Sequence, residues 1–422
     1  MRRRVETSLR RLDPQLPRSV WTLEAGTLVN FFGSGVAFPF LFIYLHNVRG
    51  FGLGTSGLVV AAMSVVGIVV GPLAGPLLDR IGGRITLGAA LAVSAVGYGL
   101  MPLVHHPWQG FLFAALIGVG TGTFWPSISV LLIGLTAVDR RHQAFALQRV
   151  ALNLGLGLGG LVGGLIATTS NPTTFTVLFL VDAASFLGMI VFLPLVPDPE
   201  LPPGVASAAP AGYVHVLRDR VFVSLIGLNV VYIAAGYATF ELLPVFAKNQ
   251  AHVSERWIGA IFFVNTIALV VAQLPAARLL EGRRRMPALA LMPALFGAAW
   301  LIVLAGGASF DGTAAALVFA AAAVVVGLGS SVHGPTQGAL VADLAPPQLR
   351  GRYMALSSTS WEAGFVIGPA AGGFVLAASP LALWPVAAVI CAAAVAATLS
   401  LDGRLPPELR RTPGVARVAA GK

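Results

Sequence analysis

Gly155-Leu-Gly-Leu-Gly159-Gly160-Leu-Val-Gly163-Gly164 in the first half of the chain returns as Gly364-Phe-Val-Ile-Gly368-Pro369-Ala-Ala-Gly372-Gly373 in the second. Gly155, Gly159, Gly163 and Gly164 fall on Gly364, Gly368, Gly372 and Gly373 in one register, the 209 positions between Gly155 and Gly364. The same offset carries Gly118 onto Gly327, Gly120 onto Gly329, Pro126 onto Pro335 and Arg141 onto Arg350. A shorter offset of 202 positions carries Leu77, Leu78 and Asp79 onto Leu279, Leu280 and Glu281, and Gly57 onto Gly259. A register held over that length makes the chain two homologous halves, and repeats of this kind in membrane proteins face each other across a substrate path.

Composition sets the solvent. Hydrophobic residues make up 56% of the 422, charged residues 10%, and the mean hydropathy is +0.83, whereas a soluble domain carries about 25% charged residues. Apolar segments of the ~20 residues that a helix needs to cross a bilayer fill nearly the whole chain, and the ~10-residue alternation of a membrane β-barrel is absent. The expected fold is all-α: a polytopic membrane protein of twelve transmembrane helices in two pseudo-symmetric six-helix bundles. A single cysteine, Cys391, builds neither a disulfide framework nor a metal cluster, so no metal and no cofactor are expected.

The net charge of +10 has a topological reading. Arg2, Arg3, Arg4, Arg10 and Arg11 precede the first apolar segment, and Arg80 and Arg84, Arg140 and Arg141, Arg218 and Arg220, Arg283 to Arg285, and Arg350 and Arg352 occupy alternate joints. Arg404, Arg410, Arg411, Arg417 and Lys422 close the chain, while the intervening joints hold only Arg49, Lys248 and Arg256. Positive charge gathers on the cytoplasmic side, which predicts a cell-membrane protein with both termini cytoplasmic. Basic residues so placed meet anionic lipid headgroups, and nucleic acid is not an expected partner. The Arg-rich start leads into a full-length span without a small-residue cleavage site, so no signal peptide is expected.

The segments read as helices are 20–45, 55–78, 85–104, 109–135, 143–168, 173–196, 220–247, 257–280, 286–307, 313–341, 352–378 and 381–401. The expected organisation is a cytoplasmic arm over 1–19, a first bundle over 20–196, a Pro- and Ala-rich linker over 197–219, a second bundle over 220–401 and a cytoplasmic tail over 402–422.

Between the second and third helices stands Gly75-Pro-Leu-Leu-Asp79-Arg80-Ile-Gly82-Gly83-Arg84. Glycine lets helices approach and turn sharply, and a carboxylate at a helix end can accept hydrogen bonds from the free N–H groups of a neighbouring helix. This stretch resembles the signature of the major facilitator superfamily, Gly-x-Leu-x-Asp-Arg-x-Gly-Arg-Arg/Lys. Gly83 stands where the family has a basic residue, which removes that residue's salt bridge from the expectation. The resemblance implies a cytoplasmic gating latch made of Gly75, Asp79, Arg80, Gly82 and Arg84. The glycine runs are similar to a family motif associated with exporters, Gly-x-x-x-Gly-Pro-x-x-Gly-Gly; the second-half copy fits fully, and the first has Gly160 in place of proline. Residues Gly155, Gly159, Gly163, Gly164, Gly364, Gly368, Pro369, Gly372 and Gly373 are therefore the expected helix-packing motif, competing with a reading as tight packing alone.

Charges near the bilayer centre cost ~3 kcal/mol on insertion scales and persist with a partner or a water-filled path. Arg149 and Asn153 share one face of the fifth helix, and the repeat sets Ser358 and Glu362 at the same depth of the eleventh. Asp182, Glu241 and Glu24 lie in the sixth, seventh and first helices. Desolvation and a nearby cation act oppositely on a carboxylate, so an acid beside an arginine can titrate as access alternates. The proton-coupling candidates are Glu362 and Asp182, then Glu241 and Glu24, with Arg149 as electrostatic partner. Substrate-cavity candidates are Asn30, Trp125, Asn153, Tyr237, His333, Ser358 and Trp361, the aromatic ones lining a lipophilic pocket or packing as membrane aromatics do. No phosphate-binding loop of the Gly-x-x-x-x-Gly-Lys-Ser/Thr type is present, nor any constellation of catalytic residues.

What the resemblance implies is a secondary transporter rather than an enzyme, with two bundles rocking about a midplane site. The twelve helices, short linker and glycine-rich fifth helix resemble the bacterial drug:proton antiporter branch. The partners expected are a small-molecule substrate, protons and membrane lipid, with the chain a monomer. The leading expectation is proton-coupled efflux of small amphipathic or lipophilic compounds. A symporter or exporter of a specific metabolite is the alternative within transport, and a non-transporting sensor or scaffold the alternative outside it.

Overall fold

A computed structural model describes residues 16–137, 140–198, 213–346 and 349–412, without the side chains of Asp79, His142, Tyr213, Val214, Pro335 and Arg350. Most of the arm, the centre of the linker and the end of the tail lie outside the described residues. Twelve helices in the described residues are long and apolar enough to cross a membrane. They are numbered here as spans: 1, Arg18–Val48; 2, Leu53–Leu78; 3, Arg80–Leu103; 4, Pro107–Leu135; 5, Gln143–Ile166; 6, Thr173–Leu195; 7, Arg220–Phe240; 8, Glu255–Leu280; 9, Arg285–Ser309; 10, Gly312–Leu344; 11, Arg352–Ala378; and 12, Leu383–Arg404.

Three boundaries depart from expectation. Helical hydrogen bonding runs from span 2 into span 3 with one break, at Gly82, whose φ of 81° only glycine adopts at low cost. Span 3 therefore starts at its own arginines and not at residue 85. The seventh segment, expected as one helix over 220–247, is a helix to Tyr232, a wide π turn over Ile233–Tyr237, a short turn to Phe240 and a separate helix over Leu243–Gln250. Pro244 opens that last piece; it has no N–H to give back to the preceding turn, so the helix breaks at Glu241 and Leu242. The tail, expected to begin at residue 402, is bound to the joint between spans 8 and 9 over residues 402–412. There Arg410 O accepts Arg285 N–H at 2.8 Å, Arg283 O accepts Thr412 N–H at 3.0 Å, and Asp402 forms an ion pair with Arg284.

Spans 1 to 6 pack among themselves, as do spans 7 to 12; the bundles meet chiefly where span 2 lies on span 11 and span 5 on span 8. Both seams are made by glycines. A Cβ on Gly164 would stand 2.7 Å from Glu255 O of span 8, and one on Gly373 would stand 2.7 Å from Leu53 O at the start of span 2. One turn further in, a Cβ on Gly259 would strike Gly160 O, and one on Gly57 would strike Pro369 O. Gly160 and Pro369 are repeat mates, as are Gly57 and Gly259, so the two seams are the same contact made twice. Gly157 also faces the other bundle, at Thr266 of span 8, whereas Gly155, Gly159 and Gly163 take the backbone of span 1, and Gly364, Gly368 and Gly372 take Ile233, Ala238 and Leu242 of segment seven. Close backbone approach between small residues supplies the dispersion contact that drives helix association where lipid gives no hydrophobic force.

Candidate functional site

The seams occupy the ends of the spans away from the Arg-rich joints. At the tip, Asn47 at the end of span 1 donates to Asn249 beyond span 7. The Glu255 carboxylate pairs with Lys248 at 2.9 Å and accepts the Thr169 N–H at 2.9 Å, tying spans 5, 7 and 8 together. Toward the Arg-rich ends the bundles part. Arg149 and Ser358, repeat mates on spans 5 and 11, are both exposed. The Nη2 of Arg149 lies 3.7 Å from where a Cβ on Gly334 of span 10 would stand, so this guanidinium reaches across the gap to the opposite bundle. The two bundles thus enclose a cleft sealed at one end and open at the other.

The second bundle walls the cleft with rings. His333 of span 10 is fully buried and holds Asn229 through Nε2 at 2.9 Å; Asn229 in turn donates to Ser360 at 2.7 Å. Against His333 stand Trp361, with ring centres 5.3 Å apart, and Tyr237 at 6.0 Å; Tyr237 and Trp361 are 5.3 Å apart. The π turn at Ile233–Tyr237 places Tyr237 in this cluster, and such bulges recur at functional sites. The charge of Arg149 acts on both Tyr237 and His333. From the first bundle, Trp125 is 41% exposed and leans on Phe31 at 5.9 Å between ring centres.

The carboxylates divide into two groups. Glu362 is half-buried and meets the Ser64 hydroxyl of span 2, so it sits in the interface between bundles. Glu241, at the break in segment seven, lines a small space between bundles with Phe38, Pro39, Val60 and Phe262, and its Oε2 has no hydrogen-bond partner. Asp182 is elsewhere. It is wholly buried inside the first bundle, where Ser34 and Ser185 donate to its Oδ1 at 3.3 and 3.4 Å and its Oδ2 is unpartnered. Asp182 thus lies apart from Arg149, its expected electrostatic partner, and from Glu362 at the interface between bundles. Spans 1 and 6 pack face to face through Gly33 and Ser185, which closes Asp182 off. Asn30 and Ser34 border both Asp182's surroundings and a narrow pocket shared with Ser94, Thr121 and Trp125. Glu24 is buried, neither oxygen having a partner, and Asn153 is half-buried with an unpartnered Nδ2.

At the Arg-rich end, Gly82 turns the joint between spans 2 and 3 and Arg84 N–H donates to Asp198 at 3.3 Å, its guanidinium reaching Val196 O at 3.3 Å. Gly75 is half-buried and Arg80 exposed; the side chain of Asp79 lies outside the described residues. Asp198 stands just after span 6 and Asp402 in the last turn of span 12, and each acid holds an Arg-rich joint of its own bundle.

Sequence reasoning passed over Asn229, Ser360, Ser34, Ser185 and Ser64, because uncharged residues in apolar spans carry no signal of their own. It also passed over Asn47 and Asn249, which the 202-position register could have revealed as mates.

Two homologous six-helix bundles with a cleft between them have the architecture of a membrane carrier. The profile of the Major Facilitator Superfamily matches residues 23–319 and 238–421, and the chain belongs to that family. It is 27% identical over 347 residues to the multidrug resistance protein MdtH of Cronobacter sakazakii, covering 81% of this chain and 83% of that protein. It is 26% identical over 369 residues to the MFS-type transporter YttB of Bacillus subtilis, covering 86% and 89%. Among solved structures, a variant of the nucleoside transporter NupG superposes with a TM-score of 0.75 at 13% identity over 91% of this chain and 99% of that one. A POT-family peptide transporter in complex with alafosfalin gives 0.74 at 16% identity over 93% and 95%. The chain is thus a multi-pass membrane transporter and not an enzyme.

Proposed function

We propose that the chain is a proton-driven exporter of small amphipathic or lipophilic compounds, seated in the cell membrane with both termini in the cytoplasm and working as a monomer. The observation that carries the reading is the pair of matched glycine seams closing one end of a cleft that is open at the other. Rigid bundles joined by two such contacts can rock, releasing these seams while the Arg-rich ends close. In the closed-in state, the Asp79 to Arg84 joint would serve as the latch. The cleft's aromatic wall suits lipophilic cargo, and the likeness to a multidrug resistance protein supports export.

Glu362 and Glu241 are the groups placed to exchange protons between sides, because both lie between the bundles and rocking changes their access. Asp182, closed within the first bundle, serves as a secondary site reached through the Asn30 and Ser34 pocket. The test is transport in proteoliposomes under an imposed pH gradient, screened over lipophilic dyes, antibiotics and common metabolites. Export should follow the gradient, and Glu362→Gln should abolish uphill movement while leaving downhill exchange. Uphill transport by Glu362→Gln with an unchanged pH dependence would remove Glu362 from coupling. Selective movement of one metabolite would replace the efflux reading.

A further inference from the structure

Arg149 stands in the cleft about a third of the way along span 5 from the Arg-rich end, with an unfilled helix face opposite it. Arg149 is exposed, stands seven residues into span 5, and forms no ion pair with any carboxylate among the described residues. Its guanidinium points at Gly334. One helical turn nearer the open end, Gly338 has nothing within 4 Å of the place a Cβ would take, so this stripe of span 10 is bare backbone fronting open space. Beside the stripe, Gln337 is 2% exposed with neither amide atom partnered, and the Nδ1 of fully buried His333 is also unpartnered. Tyr237 and Trp361 stack at the far edge. The acids of the interface lie on the sealed side: Glu362 meets Ser64, and by the repeat it is one turn, ~6 Å, further from the open end than Arg149.

An unpaired arginine within the membrane is costly and marks a binding path. A guanidinium presents a planar fork of donors that matches a carboxylate or phosphate and stacks on aromatic faces. We infer that the cleft binds a planar, ring-bearing organic anion, its acidic group on Arg149 and its ring laid along the Gly334 and Gly338 face against Tyr237 and Trp361. Gln337 and the free nitrogen of His333 supply neutral hydrogen bonds to polar substituents on that ring. This deepens the export reading by naming the charge of the cargo, and it rests on that reading for its biological meaning.

The test is calorimetric titration of the purified full-length chain in uncharged detergent with three probes of one shape: 2-naphthoate, 2-naphthamide and protonated 2-naphthylmethylamine. The anion should bind about tenfold or more tighter than either other probe, as a charge-assisted hydrogen bond provides. In Arg149→Gln the anion and the amide should fall within about twofold of each other, while Arg149→Lys retains part of the preference. Gly338→Leu, which places a side chain in open space and so leaves the fold undisturbed, should weaken all three. Tightest binding of the ammonium, or an anion preference that survives Arg149→Gln, would overturn the assignment. So would displacement of naphthoate by added phosphatidylglycerol but not by phosphatidylcholine, which would give Arg149 to a lipid headgroup. Because binding is read without a gradient, an anion preference without proton-driven export would count against export alone. Uphill export without the preference would count against this site alone.

Discussion

The seam of spans 5 and 8 and the seam of spans 11 and 2 share a backbone geometry and differ in everything attached to it. Gly164 and Gly373 approach their partner carbonyls to the same notional 2.7 Å. Yet the first seam has Gly160 where the second has Pro369, and Glu255 with its Lys248 and Thr169 partners where the second has Leu53. The close approach tolerates no side chain and has been kept in both copies. The chemistry around it has been free to diverge, so one seam is polar with a glycine at the contact and the other apolar with a proline there.

Making the seams alike should have the largest effect. Gly160→Pro gives span 5 the proline of span 11 without the surroundings that accept it, at a cost of about 3 kcal/mol; a much lower melting midpoint and loss of transport are expected in proteoliposome assays. Gly57→Val drives a side chain into Pro369 O, costing about 1–3 kcal/mol in the sealed form. Transport should fall about tenfold or more, and cysteines placed on the sealed face should become accessible to labelling. Gly259→Val should do the same more mildly, since Gly160 leaves span 5 freer to shift. Glu255→Gln removes the charge from the polar seam at about 1 kcal/mol; the wild type should lose stability in high salt, and this variant should be salt-insensitive. Asn47→Ala should be smallest, about 0.5 kcal/mol, because its bond to Asn249 is exposed to water; a thermal shift at the limit of detection is expected.

The twelve spans and the two halves were legible because the bilayer imposes a length and a polarity that composition cannot hide. Breaks inside spans were less so: Pro244 marks the break in segment seven, a signal that the reading of 220–247 as one helix did not use, and the π turn before it has no local marker in Ile233-Ala-Ala-Gly-Tyr237. Helical spacing put Arg149 and Asn153 on one face. It could not show that Arg149 crosses to Gly334, because that depends on the gap between bundles. Asp182 read as a proton-coupling candidate from its depth alone, and depth says nothing about direction. Ser185, one turn on, packs against Gly33 and turns that face of span 6 toward span 1.

Asn47 and Asn249 are separated by the 202 positions that relate Gly57 to Gly259, so at the sealed tip a residue touches its own counterpart. Only a point on a two-fold axis allows this, and such self-meeting contacts are the isologous kind that identical subunits form in a symmetric dimer. One continuous chain therefore carries, at this spot, the geometry of two equal molecules shaking hands. Any lengthening of the stretch between residue 47 and its seam must be answered by an equal lengthening after residue 249.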